Sequence, residues 1–189
     1  MNTIFFILIM IAVLAYGIQM PLITFYARRF DALTITIYRN LSLALTMMPV
    51  LLFAPPGEFA KVGEYVFYLV GASGVGAVSF MLGLVGTTYL PVGIAQSFRQ
   101  ASAILGAVLL GIVFFAEHLT SLQLVLIALL LAGIIALSLS KPDILHLERK
   151  NISLGVWFSI LSGIGLACSF LFFSYTSRAI SPIITGYFL

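Results

Sequence analysis

Charged side chains are scarce in this sequence. Lys, Arg, Asp and Glu make up 8% of its 189 residues, whereas they form about a quarter of an ordinary soluble domain. Hydrophobic residues account for 62%, and the mean hydropathy is +1.19. This balance excludes an ordinary soluble domain and indicates a chain that lies in a lipid bilayer. The length then limits the number of helices, because each needs about 20 apolar residues to cross the membrane.

The groups that most enzymes and nucleic-acid-binding proteins need are missing as well. Cys168 is the single cysteine and cannot form an internal disulfide, so we interpret it as a small packing residue. Both histidines, His118 and His146, fall in loops, and the sequence has no nucleophile elbow, zinc motif or phosphate-binding glycine loop. The net charge of +3 is too dispersed to follow a phosphate backbone. We therefore expect no enzyme, no cofactor, no metal site and no nucleic-acid partner.

Long apolar runs are what the sequence does contain. Six of them are long enough to span a bilayer, and a seventh begins at Pro182. Their length favours helices over the shorter, alternating strands of a barrel, and the short connections favour antiparallel neighbours. We predict an all-α polytopic protein of the plasma or inner membrane. The six predicted spans are residues 3–25, 32–54, 65–88, 91–115, 121–139 and 153–175.

The end of the chain resembles its beginning. Residues 175–189 align without gaps on residues 26–40, and several positions carry the same residue type 149 residues apart. Five spans separate the two copies, so the second is expected to lie upside down relative to the first, as an inverted repeat. We therefore expect a five-helix repeat at 1–140, a polar linker at 141–151 and the start of a second repeat at 152–189. The matching pairs include Tyr26 with Tyr175, Arg29 with Arg178, Thr36 with Thr185, and Tyr38 with Tyr187.

Two local patterns predict how helices begin and pack. Thr120 and Gln123 have the spacing of a capping box at the start of the fifth helix. Small residues four apart predict close contact between helix backbones in lipid. They occur at Ala103, Ala107 and Gly111 in the fourth span, and at Ser159, Gly163 and Ala167 in the sixth.

Four features follow one another along the chain: an arginine in the second span, Arg39; an Arg-x-x-Ser element in the fourth, Arg99 and Ser102; a glutamate after it, Glu117; and an Ala-Gly pair in the fifth, Ala132 and Gly133. In their order and spacing they resemble the EamA-type half of the drug/metabolite transporter superfamily. The resemblance extends over essentially the whole chain and implies ten helices in two inverted halves that export or exchange small metabolites. This sequence stops more than three helices short of that, so we expect a truncated ten-helix transporter. Gln100 departs from the pattern, since some members carry an acidic residue there.

Two arginines interrupt apolar spans that contain no acidic residue. Arg39 and Arg99 each lie eight positions after the start of a span, at Asp31 and Pro91, or roughly 12 Å along the helix. A buried arginine costs about 2.5–3.5 kcal/mol on insertion scales, so we expect both to line a polar cavity. The alternative is that each side chain snorkels to the headgroups. The predicted substrate-binding residues are Arg99, Gln96, Gln100, Ser102, Arg39, Tyr16 and Gln19.

The lack of a carboxylate in the spans argues against proton-coupled export of lipophilic cations. It favours a small anionic or zwitterionic substrate. We predict a secondary transporter, an exporter or exchanger of small polar metabolites that works by alternating access, with the bilayer and a homodimer as expected partners. A flippase of lipid-linked sugars is a variant of this hypothesis. The alternative is a non-transporting membrane subunit or fragment that only packs with partner helices.

The charges in the loops favour an N-terminus outside the cell, whereas the resemblance favours an N-terminus inside it, so the orientation in the membrane stays open.

Overall fold

The computed structural model of the chain describes residues 3–27, 29–116, 118–139 and 149–188. These residues form seven α-helices and two short 3₁₀ segments, and they contain no strand. The predicted all-α class is therefore confirmed. The helices are α1 (Thr3–Ala27), α2 (Ala32–Met47), α3 (Val62–Tyr89), α4 (Val92–Phe115), α5 (Ser121–Leu139), α6 (Arg149–Ser177) and α7 (Pro182–Tyr187), and the 3₁₀ segments Met48–Phe53 and Pro56–Lys61 join α2 to α3.

Four helical stretches in the described residues are long and apolar enough to cross a membrane. The predicted first and fifth spans also form helices, α1 and α5, although the described apolar part of α5 is the shorter stretch Ser121–Ile134. The predicted linker lies outside the described residues up to residue 148, and α6 begins at Arg149. The four stretches are Ala32–Phe53, Gly57–Tyr89, Val92–Phe115 and Ile152–Ser177.

Local side-chain chemistry sets where α2 and α5 begin. The Asp31 carboxylate accepts a hydrogen bond from the Thr34 backbone N–H at 3.2 Å and caps α2. Hydrogen bonds from the Thr34 side chain, and then from its backbone, lower the pKa of Asp31. The predicted capping box is confirmed at α5. Gln123 Oε1 accepts from the Thr120 N–H at 2.8 Å, and Thr120 Oγ1 accepts from the Gln123 N–H at 3.3 Å.

Two prolines set where α2 and α3 end. The second span was predicted as one continuous helix, but α2 ends at Met47 and the chain continues as the 3₁₀ segment Met48–Phe53. Pro49 has no N–H to donate to the carbonyl four residues earlier, which favours the tighter helix. Leu90, which precedes Pro91, is extended with φ −125° and ψ 153° and ends α3.

Buried serines join α6 to α3 along what we call the serine seam: Ser79, Ser162 and Ser169. Ser79 and Ser162 each donate to the other's backbone carbonyl, at 2.5 and 2.6 Å, and Ser169 donates to the Ala72 carbonyl at 2.7 Å. All three serines are buried. Because residue numbers rise along one helix as they fall along the other, α6 runs antiparallel to α3.

Small residues bring α6 equally close to α4. A Cβ added at Gly163 would overlap the Arg99 carbonyl oxygen and lie 2.8 Å from the Ala103 backbone nitrogen. A Cβ added at Gly106 would lie 2.8 Å from the Ala167 Cβ. Residue numbers rise together along the two helices, so α6 runs parallel to α4. The close packing predicted from the small-residue spacing is confirmed at Gly163, Ala103 and Ala167.

The prediction that consecutive helices are neighbours describes only part of this packing. Helices α3 and α4 touch each other, but the main partner of both is α6. Chain order alone does not identify this contact, because α6 packs against two helices that do not directly precede it in the sequence. The interior of the molecule is therefore the three-helix group of α3, α4 and α6.

The short helix α7 is attached to the connection between α2 and α3. The Glu58 carboxylate accepts a hydrogen bond from the Ser181 N–H at 2.5 Å. Ala54 packs with Ile180 and Ile184 in a buried apolar cluster. These contacts hold the N-terminal end of α7 beside the connection between α2 and α3.

The turn between α1 and α2 recurs between α6 and α7. The Phe30 N–H donates to the Tyr26 carbonyl at 3.0 Å, and 150 residues later the Ile180 N–H donates to the Thr176 carbonyl at 2.9 Å. After both turns a side chain caps the helix that follows. The offset in the structure is thus one residue longer than the 149 of the gap-free sequence alignment.

Candidate functional site: a cavity lined by two arginines

A cavity of about 310 Å³ lies among six helices, α1 to α4 together with α6 and α7. We call it the arginine cavity. Much of its lining is aliphatic or aromatic, with polar side chains contributed by five of the helices. These polar residues are Gln19, Arg39, Asn40, Arg99, Ser169 and Tyr187.

Arg99 lies in the interior of α4, and only 5% of its surface is exposed. Its side chain passes close to the α3 backbone at Gly83. A Cβ added there would lie 3.3 Å from Arg99 Nε and 3.4 Å from its Cδ. Glycine at this position therefore leaves the room through which the Arg99 side chain passes between α3 and α4.

Arg39 reaches from α2 to α3. Its Nη1 donates to Asn40 Oδ1 at 3.0 Å, and its Cζ lies 4.2 Å from the centroid of the Phe80 ring. Phe80 is buried, so the ring offers a fixed face to the guanidinium. The cation–π contact and the amide together hold Arg39 at the cavity wall.

The charge of the arginine cavity is positive. Arg39 and Arg99 both line it, and none of its described lining residues is acidic. Arginine keeps its charge when buried, and its planar guanidinium can bind a carboxylate or phosphate through two parallel hydrogen bonds. Electrostatic attraction is also stronger in a site partly shielded from water. The arrangement therefore suits a small organic anion.

Of the other predicted site residues, Gln19 lines this cavity and three do not. Ser102 donates to the Phe98 carbonyl at 2.7 Å and packs against Gly163, where a Cβ would overlap its hydroxyl. It therefore lies in the contact between α4 and α6. Gln96 and Gln100 are half-buried on α4, outside the cavity lining.

The structure does not describe the side chains of two residues that the sequence singles out. Tyr16 belongs to α1, but its side chain is not among the described residues, and neither is Glu117 after α4. The structure therefore places three of the seven predicted site residues together, Arg39, Arg99 and Gln19, and these come from three different helices.

The cavity lining also contains four residues that are not predicted from the sequence: Asn40, Phe80, Ser169 and Tyr187. Asn40 had a signal, since an amide directly follows an intramembrane arginine. Tyr187 had a weaker one, since it aligns with Tyr38 in the internal repeat. Phe80 and Ser169 had none, because nothing in their surrounding sequence indicates which face of α3 or α6 meets the cavity.

Apolar helices that cross a membrane several times define a multi-pass integral membrane protein. Residues 3–139 match the EamA-like transporter family, and this is more than half of the chain. The chain therefore belongs to the EamA-like transporter family of the drug/metabolite transporter superfamily, as its resemblance to that family predicted. Comparison with curated proteins and with solved structures finds no match.

Proposed function

We propose that the chain is a secondary transporter for small metabolites that carry a carboxylate or phosphate, and that it works by alternating access. One observation carries the proposal. Arg39 and Arg99 approach one cavity from different helices, and no acidic side chain is among its described lining residues. Two guanidinium groups at one cavity wall attract an anionic substrate and repel a cationic one.

The two arginines have different roles in this proposal. Arg99 is buried and reaches the cavity between α3 and α4, so it forms the inner contact with the anionic group of the substrate. Arg39, held on Phe80, closes on the same group from α2. Gln19 from α1 supplies a neutral hydrogen-bonding side chain. Gln96, Gln100 and Tyr16 stay predicted contacts.

The inverted repeat and the ten-helix whole are part of the same proposal. The recurrence of the turn at Tyr26 and Thr176 supports a second copy of the helix–turn–helix that starts the first repeat. The direction of α6, antiparallel to α3 and parallel to α4, supports insertion of that copy upside down. Alternating access then corresponds to a rocking of one repeat against the other around the arginines.

Transport by full-length protein in proteoliposomes tests the role of Arg99. We expect uptake of at least one of labelled acetate, succinate and phosphate, and a fall of about tenfold or more in Arg99→Gln, because a charge-assisted contact is lost. Arg178→Gln is the matched control, since Arg178 is exposed beyond α6 and its Cζ lies 4.0 Å from the Phe115 ring, away from the arginine cavity. Unchanged uptake of every accepted anion in Arg99→Gln contradicts the proposal.

The second candidate is a membrane subunit that only packs with partner helices. It is favoured by Ser102, a predicted cavity residue that instead packs against α6. The two functions differ at Ala77, which lines the arginine cavity. In a Cys168→Ser background, a water-soluble thiol reagent is expected to label Ala77→Cys in membranes if the cavity is open to water. Protection of Ala77→Cys until the protein is denatured favours the packing subunit.

A further inference from the structure

A second opening adjoins the arginine cavity and has a different character. It is a groove of about 540 Å³ between α1 and α2, and Arg39 belongs to its wall as well as to that of the cavity. We call it the aromatic groove. Apart from Arg39 its lining is mostly aromatic and aliphatic: Ile23, Tyr26, Phe30, Thr34, Ile35 and Tyr38.

Arg39 connects the two spaces chemically. Its guanidinium lies on Phe80 and bonds to Asn40, so a ligand anion that meets it is placed where the cavity and the groove join. On one side of that point lies Arg99, and on the other lie only uncharged side chains of the groove. A ligand that fits both spaces has an anionic group at one end and an apolar group at the other.

The groove is open on its outer side. Phe30 is 56% exposed and Tyr38 69% exposed, so a ligand tail in the groove keeps one side free. An open groove accepts tails of different lengths, and each methylene gains part of the stabilisation that full burial gives.

We propose that the substrate class is a monocarboxylate with an apolar tail, bound with its carboxylate between Arg39 and Arg99 and its tail in the aromatic groove. This inference rests on the proposed function, since it takes the arginine cavity as the anion site. It adds a determinant of specificity, formed by Phe30, Tyr38 and their neighbours on α1 and α2.

The test is a displacement assay on the purified chain in phosphatidylcholine nanodiscs. Labelled octanoate is displaced by butyrate, hexanoate, octanoate or octanedioate, and nanodiscs without protein measure partition into lipid. We expect affinity to rise about twofold with each added methylene, below the roughly fourfold of full burial. Octanedioate, which places a second charge in the groove, is expected to bind at least about tenfold more weakly than octanoate, because a carboxylate loses part of its hydration against the apolar side chains of the groove.

Variants assign the gain to the groove. Phe30→Ala is expected to remove most of the dependence on tail length, and Tyr38→Ala serves as a second groove variant if Phe30→Ala does not fold. Leu41→Ala is the matched control, because Leu41 is also 56% exposed and lies on α2 outside the groove lining. It is expected to retain the full dependence on tail length.

The outcomes separate the two proposals. Equal affinity for butyrate, octanoate and octanedioate, or tail dependence that survives in both groove variants, overturns the tail site and leaves the anion site intact. Octanoate binding that Arg99→Gln does not weaken, together with unchanged transport of every anion in that variant, overturns the anion site itself. A gain with tail length in wild type and Leu41→Ala that is lost in Phe30→Ala supports the inference.

Discussion

At the scale of single residues, the chemistry of the cavity depends on neutral neighbours of the two arginines. A guanidinium on a flexible side chain binds an anion well only when its position is fixed beforehand, since otherwise binding must restrict its rotamers. Phe80 supplies a face for Arg39, and Gly83 supplies space for Arg99. Both residues lie on α3, one turn apart.

Phe80→Leu tests the first of these neighbours. It keeps an apolar side chain of similar size but removes the ring face below Arg39, so we expect anion affinity to fall about fivefold, or about 1 kcal/mol. Phe67→Leu on the same helix is the control, since Phe67 is 78% exposed. The measurement is anion binding to each purified variant. Equal affinity in wild type and Phe80→Leu would show that the ring does not position Arg39.

Gly83→Ala tests the second neighbour. The added Cβ would lie 3.3 Å from Arg99 Nε and 2.8 Å from Ser162 Oγ, so it disturbs both the arginine and the helix contact. Gly86→Ala is the matched control, because its Cβ would meet Ser159 Oγ at 2.7 Å but is not near Arg99. We expect both variants to lose stability and only Gly83→Ala to lose several-fold in anion affinity. Parallel losses of affinity in the two variants would refute the positioning role of Gly83.

The sequence was sufficient to predict the charged part of this site but not its neutral part. Arg39 and Arg99 were predicted because an arginine in lipid needs an explanation, whatever its surroundings. Phe80 and Gly83 are ordinary residues of an apolar helix, and their role depends on which face of α3 meets α2 and α4. That face is decided by packing between helices, which apolar periodicity does not specify when most sides of a helix are hydrophobic.

At the scale of helices, the serine seam and the small residues of α6 define how the helices fit together. Interhelical hydrogen bonds in lipid contribute about 0.6 kcal/mol each on average, so the seam sets the register more than it adds stability. Van der Waals contact requires close approach, and Gly163 allows this on the α4 side. Close approach therefore occurs on both sides of α6, and the contact with α3 adds the hydrogen bonds of the serine seam.

Gly163→Ala tests the close contact with α4. Its Cβ would overlap the Arg99 carbonyl oxygen, so the helices must separate, and we expect a loss of about 2 kcal/mol or more in the free energy of unfolding. Gly74→Ala is the control, because no atom lies within 4 Å of its added Cβ. It is expected to be neutral or slightly stabilising. Unfolding of both variants in increasing fractions of dodecyl sulfate measures the difference, and equal stability would show that α4 and α6 do not meet at Gly163.

Helix positions and starts could be predicted closely, whereas the partners of each helix could not. The start of α5 at Ser121 and that of α7 at Pro182 follow from capping residues and proline, which act within one turn of the chain. The change to 3₁₀ structure at Met48 was missed, because Pro49 permits either a kinked helix or a tighter one and the surrounding packing decides between them. The position of α6 between α3 and α4 depends on contacts between distant residues, for which a single sequence gives no direct evidence.

At the scale of the whole molecule, α6 joins the part of the chain that matches the family to the part that follows it. The matched residues, 3–139, include α3 and α4, and α6 comes after them. Their close packing means that residues on both sides of the predicted linker form one interior. The proposed rocking of one repeat against the other would therefore have to carry α6 with the first repeat or break the serine seam.

A disulfide between α4 and α6 tests this arrangement and the direction of α6. In a Cys168→Ser background, Gly106→Cys and Ala167→Cys are expected to cross-link readily, because the Cβ positions are within about 3 Å and a small shift brings them to the roughly 3.8 Å of a disulfide. Gly106→Cys with Leu161→Cys is the control pair, since Leu161 is 48% exposed on α6. A protease site placed in residues 141–148 allows detection, because cleaved halves remain together on a non-reducing gel only when they are linked.

We expect the disulfide also to reduce anion uptake if α6 leaves α4 during transport, and to leave uptake unchanged if the two helices move as one. The control pair is expected not to link. Linking of the control pair, with no link between Gly106→Cys and Ala167→Cys, would overturn the parallel packing of α4 and α6.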